Sequence, residues 1–226
     1  MRSIMNYCSR TIFFRTETDK MLSLSMAFSG LLVLARVSFS GEHSLLFLVW
    51  NLFLAWIPYV ITTWLTQRPG WIENRLKFVL AFAAWLLFIP NSFYLLTDLF
   101  HLGYHPGAPL WFDLMLIVSF AWNGLLLGML SVRQMEKIIT GCFLRKNELL
   151  FIYPVMWLNA LGVYIGRYLR FNSWDVITNP FGLLSDIAEL ILHPVRYIEA
   201  WGMIGCFSVL MTLMYVTVKR ISKAAK

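Results

Sequence analysis

The sequence predicts an all-α fold: a polytopic transmembrane bundle of six spans, both termini cytoplasmic, with one amphipathic helix along the outer surface. Three observations carry this. Hydrophobic residues make up 59% of the chain and charged residues only 14%, against about 25% charged in a soluble domain. The apolar residues gather into six runs close to the ~20 residues that a helix needs to cross a bilayer. Lysine and arginine crowd into alternate connections between those runs, and this asymmetry is what sets orientation in a membrane. A net charge of +7 would suit a nucleic acid if it formed one surface, but cations placed between apolar runs read as a topology signal, so no nucleic-acid partner is expected.

Residues 1–20 are expected to form a polar cytoplasmic tail, and residues 21–218 a single transmembrane domain. The first span covers 21–39 and is interrupted near its end by Arg36. The Ser38-Phe39-Ser40 that follows faintly resembles a signal-peptidase site; the long, mixed-charge leading segment favours an uncleaved helix. The second span, 44–66, carries Asn51 and a helix-bending Pro58. The third, 76–100, is an apolar run broken at Pro90-Asn91, and the fourth, 110–132, has Asp113 near its start. The fifth covers 149–169 and the sixth 198–218, before a basic cytoplasmic tail at 219–226.

Counting cations by side orients the chain. The tail residues Arg2, Arg10, Arg15 and Lys20, the loop residues Arg68, Arg75 and Lys77, then Arg133, Lys137, Arg145 and Lys146, and finally Lys219, Arg220, Lys223 and Lys226 place 15 of the 19 on one side. Only Arg36, Arg167, Arg170 and Arg196 fall on the other. The positive side is cytoplasmic. The same topology puts His43, His101, His105 and His193 on or near the outer face, with Glu42, Asp98, Asp113, Asp175, Asp186, Glu189 and Glu199. A site in this protein is therefore expected to open outward. Cys8, Cys142 and Cys206 show no ligand-like spacing and none falls in an outward loop, so no disulfide is expected.

Four constellations stand out. On the third span Asn91, Tyr94, Asp98, His101 and His105 fall within an arc of roughly 80° at helical pitch, and polar groups near membrane depth are costly without partners. They either line an outward cavity or form a solvated helix end. Asp98-x-x-His101 with His105 and His193 offers donors for a divalent metal, but Gly103 and Pro106 argue against His105 staying on the helix, and no metal site is assigned. Second, Arg167 and Arg170 at the end of the fifth span are helical neighbours that oppose the charge trend, followed by Asn172, Trp174 and Asp175. Paired guanidiniums there suit a phosphate or carboxylate; the plain alternative is snorkelling or pairing with Asp98, Asp113 or Asp175.

Third, residues 179–196 place Leu183, Leu184, Ile187, Ala188, Leu190 and Ile191 on one face and Asp186, Glu189, His193 and Arg196 on the other, as a helix lying in the interface does. Fourth, Asn51, Asn91, Asn123 and Asn159 put one amide in each of the second to fifth spans, and Gly124-x3-Gly128 and Gly162-x3-Gly166 supply close-contact faces, both usual at interhelical contacts. No Walker, dinucleotide, HExxH or GxSxG motif occurs.

With those residues in view, the chain resembles a family of uncharacterised bacterial integral-membrane proteins known only as a domain of unknown function. The likeness rests on PNSFYLLTDLFHL at 90–102, Trp111-Phe112-Asp113, FAWNGLLLG at 120–128 and, most specifically, GRYLRFNSWDVITNP at 166–180. It implies a multi-span inner-membrane architecture and brings no substrate or cofactor. The functional expectation is that Arg167 and Arg170 hold the anionic headgroup of a phospholipid or polyprenyl-phosphate carrier, with Asn91, Tyr94, Asp113, Asn172, Trp174 and Asp175 lining the site. Asp98 and His101 would supply acid/base or orienting groups. A small-solute transporter, with the Pro90-Asn91 break as its discontinuous helix, and a non-catalytic assembly partner are the competing expectations.

Overall fold

The computed structural model describes residues 17–103, 107–142 and 149–224, without the side chain of Cys142. Expectations for the tail before residue 17, for His105, and for Arg145, Lys146 and Lys226 therefore fall outside the described residues. Every regular element among the described residues is helical, and six helices are long and apolar enough to cross a membrane. This is a multi-pass membrane protein. The chain divides into two compact units, Met1–Arg145 and Lys146–Lys226.

The first unit holds α1 (Glu17–Ser40), α2 (Phe47–Thr66), the short α3 (Pro69–Glu73), α4 (Arg75–Tyr94) with a 3-10 segment at Leu95–His101, and α5 (Leu110–Cys142). Helix α1 starts before the expected 21. Glu17 and Asp19 in its first turn face the positive end of the helix dipole, and Lys20 pairs with Glu17 at 2.8 Å. Asn74 caps α4, its side-chain oxygen accepting the Lys77 backbone N–H at 3.1 Å. Helix α2 packs along both α4 and α5, and α1 packs along α5.

The sequence leads one to expect a break at Pro90-Asn91, and the structure has none there. Helix α4 runs through Pro90 to Tyr94 before tightening into the 3-10 segment. A proline removes one backbone donor, a loss that membrane helices tolerate. The Asn91 side-chain amide turns back to donate to the Phe88 carbonyl at 2.9 Å. At Pro58, also inside its helix, the proline carbonyl accepts from Ser131 Oγ at 2.9 Å and Thr62 Oγ1 at 3.1 Å, and Trp85 Nε1 donates to the same Ser131 at 2.8 Å. That network ties α2, α4 and α5 together in their buried middle.

Two of the glycines expected at a close contact are at one. A β-carbon on Gly124 would lie 2.7 Å from the Ser92 carbonyl oxygen, and one on Gly128 would lie 2.9 Å from Ser92 Cβ. Bare backbone at both positions lets α5 lie directly on α4. Helix α5 also outruns the expected 132 and continues to Cys142. Its last turns keep Glu136 buried and bring Gln134 within 3.3 Å of Thr63.

The second unit holds α6 (Leu149–Tyr164) continued by a π turn (Ile165–Leu169), the one-turn α7 (Asp175–Thr178), α8 (Pro180–Leu192) and α9 (Ile198–Ala224). Helices α6 and α9 pair along their length, with Trp157 and Trp201 stacked at 6.0 Å. Asn179 caps α8 by accepting the Gly182 N–H at 3.2 Å. Leu190 packs inward on this unit while Phe181 stays 85% exposed, with Leu184 and Ile191 also exposed. An exposed apolar face on an amphipathic helix is what an interfacial location requires.

Candidate functional site

The polar residues singled out in the sequence divide between the two units, and each group is built separately. In the first unit they collect where α1 ends, α2 begins, α4 passes into its 3-10 segment and α5 begins. Asp98 on the 3-10 segment is 1% exposed, and Asn51 Nδ2 of α2 donates to its Oδ2 at 3.0 Å. His101, one 3-10 turn later, is exposed and meets Phe47 edge-on at 5.0 Å. Asn91 and Tyr94 are half-buried on α4. The polar stripe is thus graded, with one carboxylate buried and the imidazole at the surface.

The second carboxylate of this end, Asp113, is held by Arg36. Arg36 Nε donates to Asp113 Oδ1 at 2.6 Å and Nη2 to Oδ2 at 3.3 Å, the fork-on-fork arrangement that guanidinium and carboxylate favour. Arg36 Nη1 donates to Ser40 Oγ, whose hydroxyl in turn donates to the Arg36 carbonyl at 2.7 Å. Both side chains are almost completely enclosed, at 2% and 1% exposure. The sequence reading places Asp113 among substrate-binding residues; in the structure its fork partner is an arginine of the same unit. Arg36 received no role there, yet one signal pointed to it: a lone arginine inside an apolar run has to find an acid. Asn51, read as a packing amide, is a partner of Asp98.

An apolar cluster lies among these groups. Val33, Leu48, Leu95 and Leu116 are its buried members close in sequence to Arg36, Asn51, Asp98 and Asp113 respectively. Low-polarity surroundings strengthen every charge interaction inside them and penalise any charge left alone.

In the second unit the sequence expects Arg167 and Arg170 on one helical face. The structure ends that regularity. Residues 165–169 widen into a π turn, with the Phe171 N–H reaching the Ile165 carbonyl at 3.4 Å. Arg170 then takes φ 60°, the left-handed conformation that stops the helix. Arg167 is half-buried, and Arg170, whose backbone N–H donates to the Ile165 carbonyl, is exposed and has no side-chain hydrogen-bond or ion-pair partner among the described residues. Asn172 and Trp174 are exposed beside it.

Asp175 is turned to the local backbone. Its Oδ2 accepts the Asn172 N–H at 2.6 Å and its Oδ1 the Thr178 hydroxyl at 2.8 Å. The Asn172 N–H, then the Thr178 hydroxyl, hold its carboxyl below the usual carboxylate range. With both oxygens engaged, this acid orders the turn. Further along, Tyr197 donates to Glu189 at 2.9 Å, which raises the phenol above its ordinary pKa. No group of three or more metal-ligating side chains gathers among the described residues.

Residues 50–216 match a protein family whose description reads "Protein of unknown function (DUF1361)". No curated protein and no solved structure matches the chain. The matched region contains every candidate residue named from the sequence; Arg36 precedes it.

Proposed function

The chain belongs to the DUF1361 family, and we propose that it is a protein of the bacterial cytoplasmic membrane that handles an anionic lipid or polyprenyl-phosphate headgroup at the outer face, by transfer, hydrolysis or flipping. One observation carries the reading: Arg170. A non-glycine residue in the left-handed region costs on the order of 1 kcal/mol, and here the cost is borne by a cation that is exposed and unpartnered among the described residues. It stands where a membrane-length helix ends and an interfacial helix follows, the depth at which phosphate headgroups lie. The acid of the following turn, Asp175, makes its hydrogen bonds to the Asn172 N–H and the Thr178 hydroxyl. A planar guanidinium presents paired N–H donors that fit a phosphate.

The outward assignment rests on the distribution of cations, 15 of 19 at the opposite ends of the spans. Asp98, buried beside a neutral amide donor, and His101 at the surface are assigned the acid/base or orienting role on their chemistry. Reconstitution tests the two roles apart. Arg170→Ala lowers retention of polyprenyl phosphate relative to a neutral lipid, and Arg170→Lys restores part of it. Asp98→Asn leaves retention intact and removes turnover or flipping. Full complementation of a deletion strain by both Arg170→Ala and Asp98→Asn, at normal protein levels, would rule the proposal out.

A further inference from the structure

The second unit carries another group of cations, at the far end of its helices from Arg170. Helices α6 and α9 are neighbours, and where α6 begins and α9 ends they border an open cavity of about 280 Å³ lined by Leu149, Ile152, Val216, Lys219, Arg220 and Lys223. Ile152 is buried, Val216 and Lys219 are half-buried, and Arg220 and Lys223 are exposed. The wall therefore changes from apolar to cationic between Val216 and Lys219, a helical rise of about 4.5 Å, less than one turn. Among the described residues that line it there is no carboxylate.

Cations at this end of α9 complement the helix dipole and agree with the positive-inside pattern. Neither fact accounts for a concave space in which three cations converge over an apolar floor. A bilayer makes the same change over the same depth, from acyl chain to phosphate, and basic recesses between membrane helices on the cytoplasmic side suit anionic headgroups. We propose that this cavity binds an anionic phospholipid of the leaflet at the α9 C-terminal end. Lys219, Arg220 and Lys223 hold its phosphate, and Leu149, Ile152 and Val216 seat the first part of its acyl chains. The site is independent of Arg170 and of the headgroup reading above.

The purified full-length chain, carrying Arg170→Ala so that the other end does not contribute, is incubated with phosphatidylglycerol, phosphatidylcholine or inorganic phosphate, and bound species are counted by native mass spectrometry. Each cation near an anionic headgroup is worth about fivefold in affinity, so three together give roughly a hundredfold. Phosphatidylglycerol is expected to bind at least tenfold tighter than phosphatidylcholine, and the K219Q/R220Q/K223Q variant to lose that preference. Val216→Phe, which fills the apolar floor and keeps every charge, weakens phosphatidylglycerol and leaves inorganic phosphate unchanged; it decides the matter if the triple variant does not accumulate. Equal binding of the two lipids, a triple variant that keeps its preference, or inorganic phosphate as tight as phosphatidylglycerol would each overturn the assignment.

Discussion

The Arg36–Asp113 pair makes the sharpest prediction, because its magnitude follows from its geometry. At an effective dielectric near 20, unit charges about 4 Å apart attract by about 4 kcal/mol. Against this stands the cost of dehydrating two ions, several kcal/mol each. The fork contacts at 2.6 and 3.3 Å and the added Ser40 contact offset that cost without leaving a large surplus. The pair as a whole therefore contributes little net stability, while either half alone is expensive. Removing one partner from a buried pair costs about 3–5 kcal/mol, and replacing both by apolar residues of similar volume is often neutral or better.

Three variants test this: Arg36→Met, Asp113→Leu and the double substitution. Unfolding free energies from denaturing-detergent titration at fixed temperature should show each single change costing about 3–5 kcal/mol. The double variant should return to within about 1 kcal/mol of the parent instead of summing the losses. A single variant as stable as the parent, or a double variant that loses the full sum, would refute the reasoning. The same series decides what Asp113 does. If it only answers Arg36, the double variant is folded and active; if it also touches substrate, as the sequence reading expects, the double variant is folded and inactive.

Two further outcomes follow from local geometry. Gly124→Ala drives a methyl to 2.7 Å from the Ser92 carbonyl, a backbone atom that cannot swing aside, and should cost about 1–3 kcal/mol. Gly30→Ala, with nothing within 4 Å, should be neutral or stabilise by up to about 1 kcal/mol; equal effects in the same titration would disprove the close α4–α5 contact. The Asp175 carboxyl, held low by the Asn172 N–H and the Thr178 hydroxyl, should titrate below the ordinary carboxylate range. Its contribution to the turn is present above the unfolded carboxyl pKa and is lost as pH falls through the lower folded one. A carbon-13 carboxyl titration, assigned by difference from Asp175→Asn, checks this, and a midpoint at or above the ordinary value would contradict it. Thr178→Ala should move the midpoint up.

What could be read in the chain follows from what the membrane demands of a sequence. An apolar run long enough to cross lipid is a local property, so the number of spans was legible, as was the amphipathic helix with its two unlike faces. Helix ends were less so. Hydropathy marks where lipid stops, but hydrogen bonding does not stop with it. Arg133, Gln134, Met135, Glu136 and Lys137 are good helix formers, so α5 continues through residues that hydropathy assigns to a loop. The Pro90 reading failed for a related reason: a proline removes a single backbone donor, and the helix continues past it to Tyr94.

The candidate site divides the same way. Sequence gives the depth of a polar group in its span, since depth is a count of residues, but not its direction around the helix or the identity of its neighbour. Arg36, Asn51, Asp98 and Asp113 were all visible as polar residues toward the same end of their spans. That arginine chooses Asp113 and amide chooses Asp98 is decided by how α1, α2, the 3-10 segment and α5 turn toward one another. Arg170 is harder still, because a left-handed helix stop normally announces itself with glycine, and here the glycine lies earlier, at 166, with arginine at the stop. Glycine would remove the backbone cost at that position and with it the side chain. The residue kept there is one whose conformation is unfavourable and whose guanidinium is unpaired among the described residues, which is a reason to look for its partner outside the chain.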